Sequence, residues 1–135
     1  MPDASPLHRF TAHFAQLHEA MVFAGQVCTA AGMTARARHR VELVLEEAFS
    51  NSIHHGYLGE CDQPIWLALT MLPDGLRLVF QDAAPPFDPL QSAELPSAEQ
   101  VGGVGRVLIK TLPRRAVYAL QEGRNTLTLD FGLGD

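Results

Sequence analysis

Glu47-Ala48-Phe49-Ser50-Asn51-Ser52-Ile53-His54-His55-Gly56-Tyr57 decides how the rest of the chain is read. Val41, Val44, Leu45, Ala48 and Ser52 recur at helical spacing, so the stretch is the second half of an amphipathic helix that Thr34 caps and Gly56 ends. On its polar stripe, Glu47, Asn51 and His55 stand at i, i+4, i+8, each one turn above the last. A carboxylate one turn from an amide oxygen suits a general base beside a divalent cation, because Mg²⁺ takes one or two protein oxygens alongside phosphates and water. The wet side of an ordinary surface helix has the same spacing, and spacing alone leaves both open. His54 and His55 project about 100° apart on a helix, which disfavours one shared ion. No cysteine or third histidine stands at zinc-like spacing. A histidine at a helix C-terminus already interacts well with the dipole.

Upstream, Phe14, Leu17, Met21, Ala24 and Cys28 mark a helix from about His13 to Ala31 that Gly32 stops. Leu7 to Ala12 reads as a short edge strand after a loose end at residues 1–6. Downstream, Pro64 to Met71 and Leu76 to Gln81 are strands around the turn Pro73-Asp74-Gly75. Residues 83–101 carry four prolines and small residues, an ordered loop or lid. A helix starts near Gly103 and ends before Pro113. Arg115 to Gln121 and Asn125 to Phe131 are two more strands, joined around Glu122-Gly123-Arg124. This order predicts an α/β (α+β) two-layer sandwich, with helices on one face of a mixed, mainly antiparallel sheet, as one domain over 1–135.

Hydrophobic residues at 47% and charged residues at 19% exclude a disordered chain. A net charge of −5 excludes a general nucleic-acid binder, although nine of the ten basic residues are arginines and allow a local patch. No apolar run approaches the ~20 residues of a membrane span, the N-terminus lacks a signal-like apolar core, and Cys28 and Cys61 stand alone. A cytoplasmic protein with reduced thiols is expected.

Two further segments bear on chemistry. Asp82 closes an apolar strand; an acid there either accepts a hydrogen bond from a purine's exocyclic amine or is a turn aspartate before Ala83-Ala84-Pro85-Pro86-Phe87. Gly102-Gly103-Val104-Gly105 opens a helix, where glycine admits close approach of a phosphate and free N–H groups favour an anion. No Gly-Lys-Ser/Thr follows, so it is no Walker loop, and Leu108 at the third glycine position excludes a dinucleotide fingerprint. Arg106 and Lys110 are open to phosphate, a partner or solvent. Phe10, Phe14 and Phe23 fill either the core or a pairing surface.

Together and in this order, these segments resemble the GHKL ATPase superfamily with its Bergerat nucleotide-binding fold. Within it they are most similar to the small stand-alone anti-sigma-factor serine/threonine protein kinases of bacteria. Glu47-x-x-x-Asn51-x-x-x-His55-Gly56-Tyr57 looks like that group's N box. Asp82-x-x-x-Pro86-Phe87-Asp88-Pro89 looks like its first glycine box, and Gly103-x-Gly105-x-x-Leu108-Ile109 like its second. Gly123 to Leu129 is similar to the family's last strand, and the likeness covers about residues 7–131.

The resemblance implies ATP and Mg²⁺ as cofactors. Glu47 becomes the catalytic base that activates the attacking hydroxyl, Asn51 the Mg²⁺ ligand, and Asp82 the reader of the adenine amine. His55 and Phe87 stand beside the nucleotide, Gly103, Val104 and Gly105 cradle the phosphates, and Thr126 lies near the adenine through water. Residues 84–102 become the ATP lid. Ala84 stands where the family usually has glycine; alanine disfavours positive φ, so weaker binding or another loop path is expected. The resemblance also implies partners: a sigma factor or comparable regulatory target, a STAS-domain anti-anti-sigma protein as phosphoacceptor, and a second copy in a homodimer, with no direct contact to nucleic acid or membrane. A non-catalytic nucleotide-binding interaction module, which Ala84 favours, and a histidine-kinase catalytic domain are the alternatives. The placing of Glu47 before Asn51 fits the serine-kinase group better than the latter.

Overall fold

The computed structural model describes residues 5–91 and 103–134, with the backbone alone at Gly103 and Val104. Most of the loose end and of the lid expected from the sequence lies outside the described residues. The elements are β1 (His8–Ala12), α1 (Phe14–Ala30), α2 (Ala35–Asn51), a π-helical turn (Ser52–Gly56), β2 (Cys61–Leu72), β3 (Gly75–Asp82), α3 (Gly103–Thr111), β4 (Arg115–Gln121) and β5 (Arg124–Gly132). The sheet runs β1-β2-β3-β5-β4, and all four pairings are antiparallel.

Local chemistry sets the element ends. Gly32, at φ 79°, ends α1 in a Schellman pattern: its N–H donates to Thr29 O, and Met33 N–H donates to Cys28 O. Thr34 Oγ1 accepts from Ala37 N at 3.1 Å and caps α2. Pro73 and Asp74 form a two-residue turn between β2 and β3. Glu122 and Gly123, both at positive φ, form the tight turn between β4 and β5.

Strand alternation then sorts the faces. Ile65, Leu67 and Leu69, then Leu76, Leu78 and Phe80, then Leu127, Leu129 and Phe131 pack under the helices. They meet Ala20, Ala24 and Cys28 of α1 and Val41, Val44, Leu45, Ala48 and Phe49 of α2. Each such valine, leucine, isoleucine or phenylalanine contributes about 1.5–3 kcal/mol by leaving water. The opposite face carries Trp66, Arg77, Gln81, Thr126 and Asp130, held by the bidentate Arg77–Asp130 pair at 2.7 and 2.9 Å. No described helix is long and apolar enough to cross a membrane.

One feature of α2 departs from the expected continuous helix to His55. From Ser52 the hydrogen bonding widens, and Tyr57 N–H reaches back to Ser52 O at 2.8 Å. Such π turns frequently mark functional sites.

Candidate functional site

A cavity of about 380 Å³ opens between the end of α2, the facing ends of β3 and β5, the 83–89 loop and α3. Asn51, His55, Asp82 and Phe87 all line it. Glu47 and Gly105 meet beside it, where α2 packs on α3.

Asp82 anchors one end. It is 7% exposed, yet both oxygens are engaged. Oδ2 accepts from Ser52 Oγ at 2.5 Å, while Oδ1 accepts from Asn125 Nδ2 at 2.8 Å and from Ala84 N at 3.1 Å. A carboxylate has about four acceptor positions, so one remains for a donor in the cavity.

Asn125 is the hub that the sequence did not single out. Its Oδ1 accepts from Tyr118 OH at 2.5 Å and from Phe87 N at 3.0 Å. Its Nδ2 donates to Asp82 Oδ1 and lies 3.1 Å from both Ala84 O and Pro85 O. The β3–β5 register sets Asp82 opposite Asn125, so both project on the cavity face. Thr126, expected near the adenine, takes the other face by the same alternation. It is 2% exposed, accepts from Gln81 Nε2 at 3.2 Å and donates to Arg124 O at 3.2 Å. Thr126 therefore faces away from the cavity, and its neighbour Asn125 lines it.

Tyr57 fixes the loop from below. Its OH donates to Pro64 O at 2.6 Å and accepts from Ala83 N at 2.8 Å. Burial, first of several causes, pushes this phenol up to about 12. Ala84 is buried and does not adopt positive φ, so its methyl carries no backbone strain. It packs on Gly56, where a Cβ would stand 2.9 Å from the Ala84 Cβ. Gly56 is thus needed for close approach as well as for ending the helix.

At the other end, α3 begins at Gly103. A Cβ on Gly105 would collide with Glu47 Oε2 and lie 3.0 Å from Glu47 Cδ. Glycine lets the first turn of α3 close onto the carboxylate. Burial, and secondarily the charge of Glu46, raise the Glu47 pKa from its ordinary value. One turn on, Asn51 Nδ2 is buried with no hydrogen-bond partner among the described residues. An unpaired N–H donor at a cavity wall beside a glycine cradle fits an acceptor such as a phosphate oxygen, while the oxygen of the same amide is the ligand type that suits Mg²⁺. Asn51, through its amide oxygen, and the N–H groups from Gly103 to Gly105 would hold a metal–phosphate unit.

His55 lines the cavity, whereas His54 turns to the Phe14 ring, 5.3 Å between centroids. The two histidines do not converge, and no cluster of three or more His, Cys, Asp or Glu that could hold a metal occurs among the described residues. Ser52 and Tyr118 were missed along with Asn125. Ser52 belonged to the core face by periodicity, and Asn125 could have been found by extending the alternation of Leu127, Leu129 and Phe131 back by two.

The family model described as a histidine kinase-like ATPase domain matches residues 10–131, and the chain belongs to that family. Among solved structures, the nucleotide-free catalytic domain of histidine kinase ThkA superposes with a TM-score of 0.57 at 13% identity, covering 96% of this chain and 98% of that one. Histidine kinase AdeS of Acinetobacter baumannii gives a TM-score of 0.49 at 13% identity, covering 96% and 68%. Comparison with curated proteins gave no match. The ThkA similarity is one of fold. The antiparallel sheet, its helices and this family assignment define a GHKL-type ATPase domain, for which ATP is the implied ligand.

Proposed function

We propose that this chain is an ATP- and Mg²⁺-dependent protein serine/threonine kinase and anti-sigma factor that phosphorylates a STAS-domain antagonist in a partner-switching pathway. The observation that carries the nucleotide part is Asp82: a nearly buried carboxylate, pre-aligned by Ser52, Asn125 and Ala84, with acceptor capacity left at a cavity wall. That is the group needed to accept a hydrogen bond from an adenine amine.

The chain's own residues then divide the work. Asp82 orients the base, and Tyr57 and Asn125 keep the 83–87 loop in place around it. Asn51 would hold Mg²⁺, which when bound offsets phosphate charge. The N–H groups at the start of α3 receive phosphate oxygens. Glu47 accepts the proton of the incoming serine hydroxyl; its raised pKa brings it nearer the operating pH, which favours a general base.

The serine-kinase subgroup rests on Glu47 preceding Asn51 and on Pro86-Phe87-Asp88-Pro89. The sigma factor, the STAS protein and the homodimer are proposed on that likeness. Ala84 carries no strain that argues for a non-catalytic module. Radiolabelled ATP with a STAS-domain substrate tests the assignment. Label on serine or threonine, lost with Glu47→Ala, is expected; acid-labile label would mean phosphohistidine, and undiminished transfer by Glu47→Ala would remove the assigned base. Calorimetric silence with millimolar ATP and Mg²⁺ would end the nucleotide reading.

A further inference from the structure

We propose that Arg106 is the phosphate-reading side chain of this cavity, and that its guanidinium exchanges the Phe87 ring for the polyphosphate of a bound nucleotide. The inference rests on the ATP-binding reading above and adds the residue that recognises the anionic part of the ligand.

Arg106 follows Gly105 in the first turn of α3, lines the cavity and is half-buried. Among the described residues it has no carboxylate partner. Other arginines are committed: Arg77 to Asp130, Arg114 to Asp74, and Arg124 to Gln81 and the Trp66 ring. Arg106 has instead the face of Phe87, 5.8 Å from its centroid. That lies near the outer limit of about 6 Å for a cation–π contact. Arg124 over Trp66, at 3.6 Å, shows a fully seated stack in the same molecule. The Arg106 contact is therefore a loose one, with the charge left for a stronger acceptor.

The cavity wall also carries both signs of charge. Its carboxylate, Asp82, is tied to Ser52. The Arg106 guanidinium reaches the same cavity from α3, over Phe87 of the facing loop. A ligand in the site meets the spare acceptor of Asp82 and a cation with no carboxylate partner among the described residues. Only a molecule with a neutral donor head and an anionic tail suits both, which selects a nucleoside polyphosphate over a nucleoside. Arginine also presents two parallel N–H donors to a phosphate, where lysine offers a point charge.

Wild type, Arg106→Ala and Arg106→Lys are titrated with ATP and ADP in Mg²⁺ by calorimetry, and with adenosine by ligand-observed NMR. Thermal unfolding confirms that each variant is folded. Arg106→Ala should weaken ATP and ADP roughly ten- to hundredfold, as loss of a charge-assisted hydrogen bond does, and leave adenosine unchanged. Arg106→Lys should recover part of the loss. ATP affinity unchanged in Arg106→Ala overturns the proposal and leaves the nucleotide site standing. Equal losses for adenosine and ATP also overturn it, since Arg106 would then act only as a wall of the cavity through Phe87. Wild type that binds neither ATP nor adenosine removes this inference together with the reading beneath it.

Discussion

Replacing Asn125 with aspartate keeps the side chain's shape and reverses the polarity of half its contacts. In the native protein, Nδ2 donates to Asp82 Oδ1 at 2.8 Å and lies 3.1 Å from Ala84 O and Pro85 O. In Asn125→Asp an oxygen faces all three acceptors, while the contacts from Tyr118 OH and Phe87 N survive. Losing the donor costs about 1–3 kcal/mol, the penalty for leaving buried acceptors unmet. The new carboxylate adds a like charge beside Asp82. At an effective dielectric near 20 and ~4 Å, that repulsion approaches 4 kcal/mol, and solvent at the half-buried Asn125 reduces it to about half. The sum is roughly 3–5 kcal/mol at neutral pH. Asn125→Ala loses the same donor and also the acceptor of Tyr118 OH and Phe87 N, but adds no charge, so its cost should be about 2–3 kcal/mol. The sign with pH is opposite to ordinary acid denaturation. Repulsion from Asp82 raises the pKa of the carboxylate introduced at position 125 in the folded state, so the penalty is absent below the unfolded carboxylate range and grows as pH rises through it. Urea unfolding of both variants at pH 4.5 and 7.5 checks this. Aspartate should be the worse substitution at pH 7.5, and its excess cost over alanine should be largely gone at pH 4.5, close to the unfolded carboxylate range of about 4. Equal stabilities at both pH values would refute the placement of Asn125 against Asp82.

Gly105→Ala gains about 1 kcal/mol of helix propensity but forces the Glu47 carboxylate aside, so a double-mutant cycle with Glu47→Ala should show coupling of about 1 kcal/mol in urea unfolding; additivity within ~0.3 kcal/mol would dismiss the contact. Glu47 has a folded-state pKa raised by burial above the ordinary 4.5, so it favours the folded state least when ionised. Its contribution should decline as pH rises through 4.5 toward the raised value, and Glu47→Gln should lack that decline in a stability–pH comparison. Asp130 is the converse. The Arg77 hydrogen bonds hold its pKa below the usual 3.8, so its contribution of about 1–3 kcal/mol is present above that value and lost as pH falls below it; Asp130→Asn should flatten the acid limb of the unfolding profile. Ser52→Ala removes one donor to Asp82 and should weaken ATP binding by about tenfold in calorimetry, with no change in the helical circular dichroism signal.

Much of the fold was legible along the chain because its signals are local. The alternation of Leu76, Leu78 and Phe80, the cap at Thr34 and the stop at Gly32 depend on residues within a turn or two, and Arg115–Gln121 forms the strand read from its sequence. The candidate site was legible where it follows one helix: Glu47 and Asn51 share a stripe because the α-helical period dictates it. The π turn was not, since five residues from Ser52 to Gly56 cannot distinguish i→i+5 bonding from an α-helical turn by composition. Nor could periodicity say that β5 lies between β3 and β4. That order brings Asn125 to Asp82 across 43 positions and sends Thr126 to the far face. Gly105 against Glu47 and Arg106 over Phe87 arise in the same way, from α3 packing across α2 and the 83–87 loop. Sequence by itself determined the elements and their polar stripes, because backbone periodicity is set by near neighbours. Tertiary structure alone decided which polar groups face one another, because strand register and helix docking are fixed by burial of the whole apolar face.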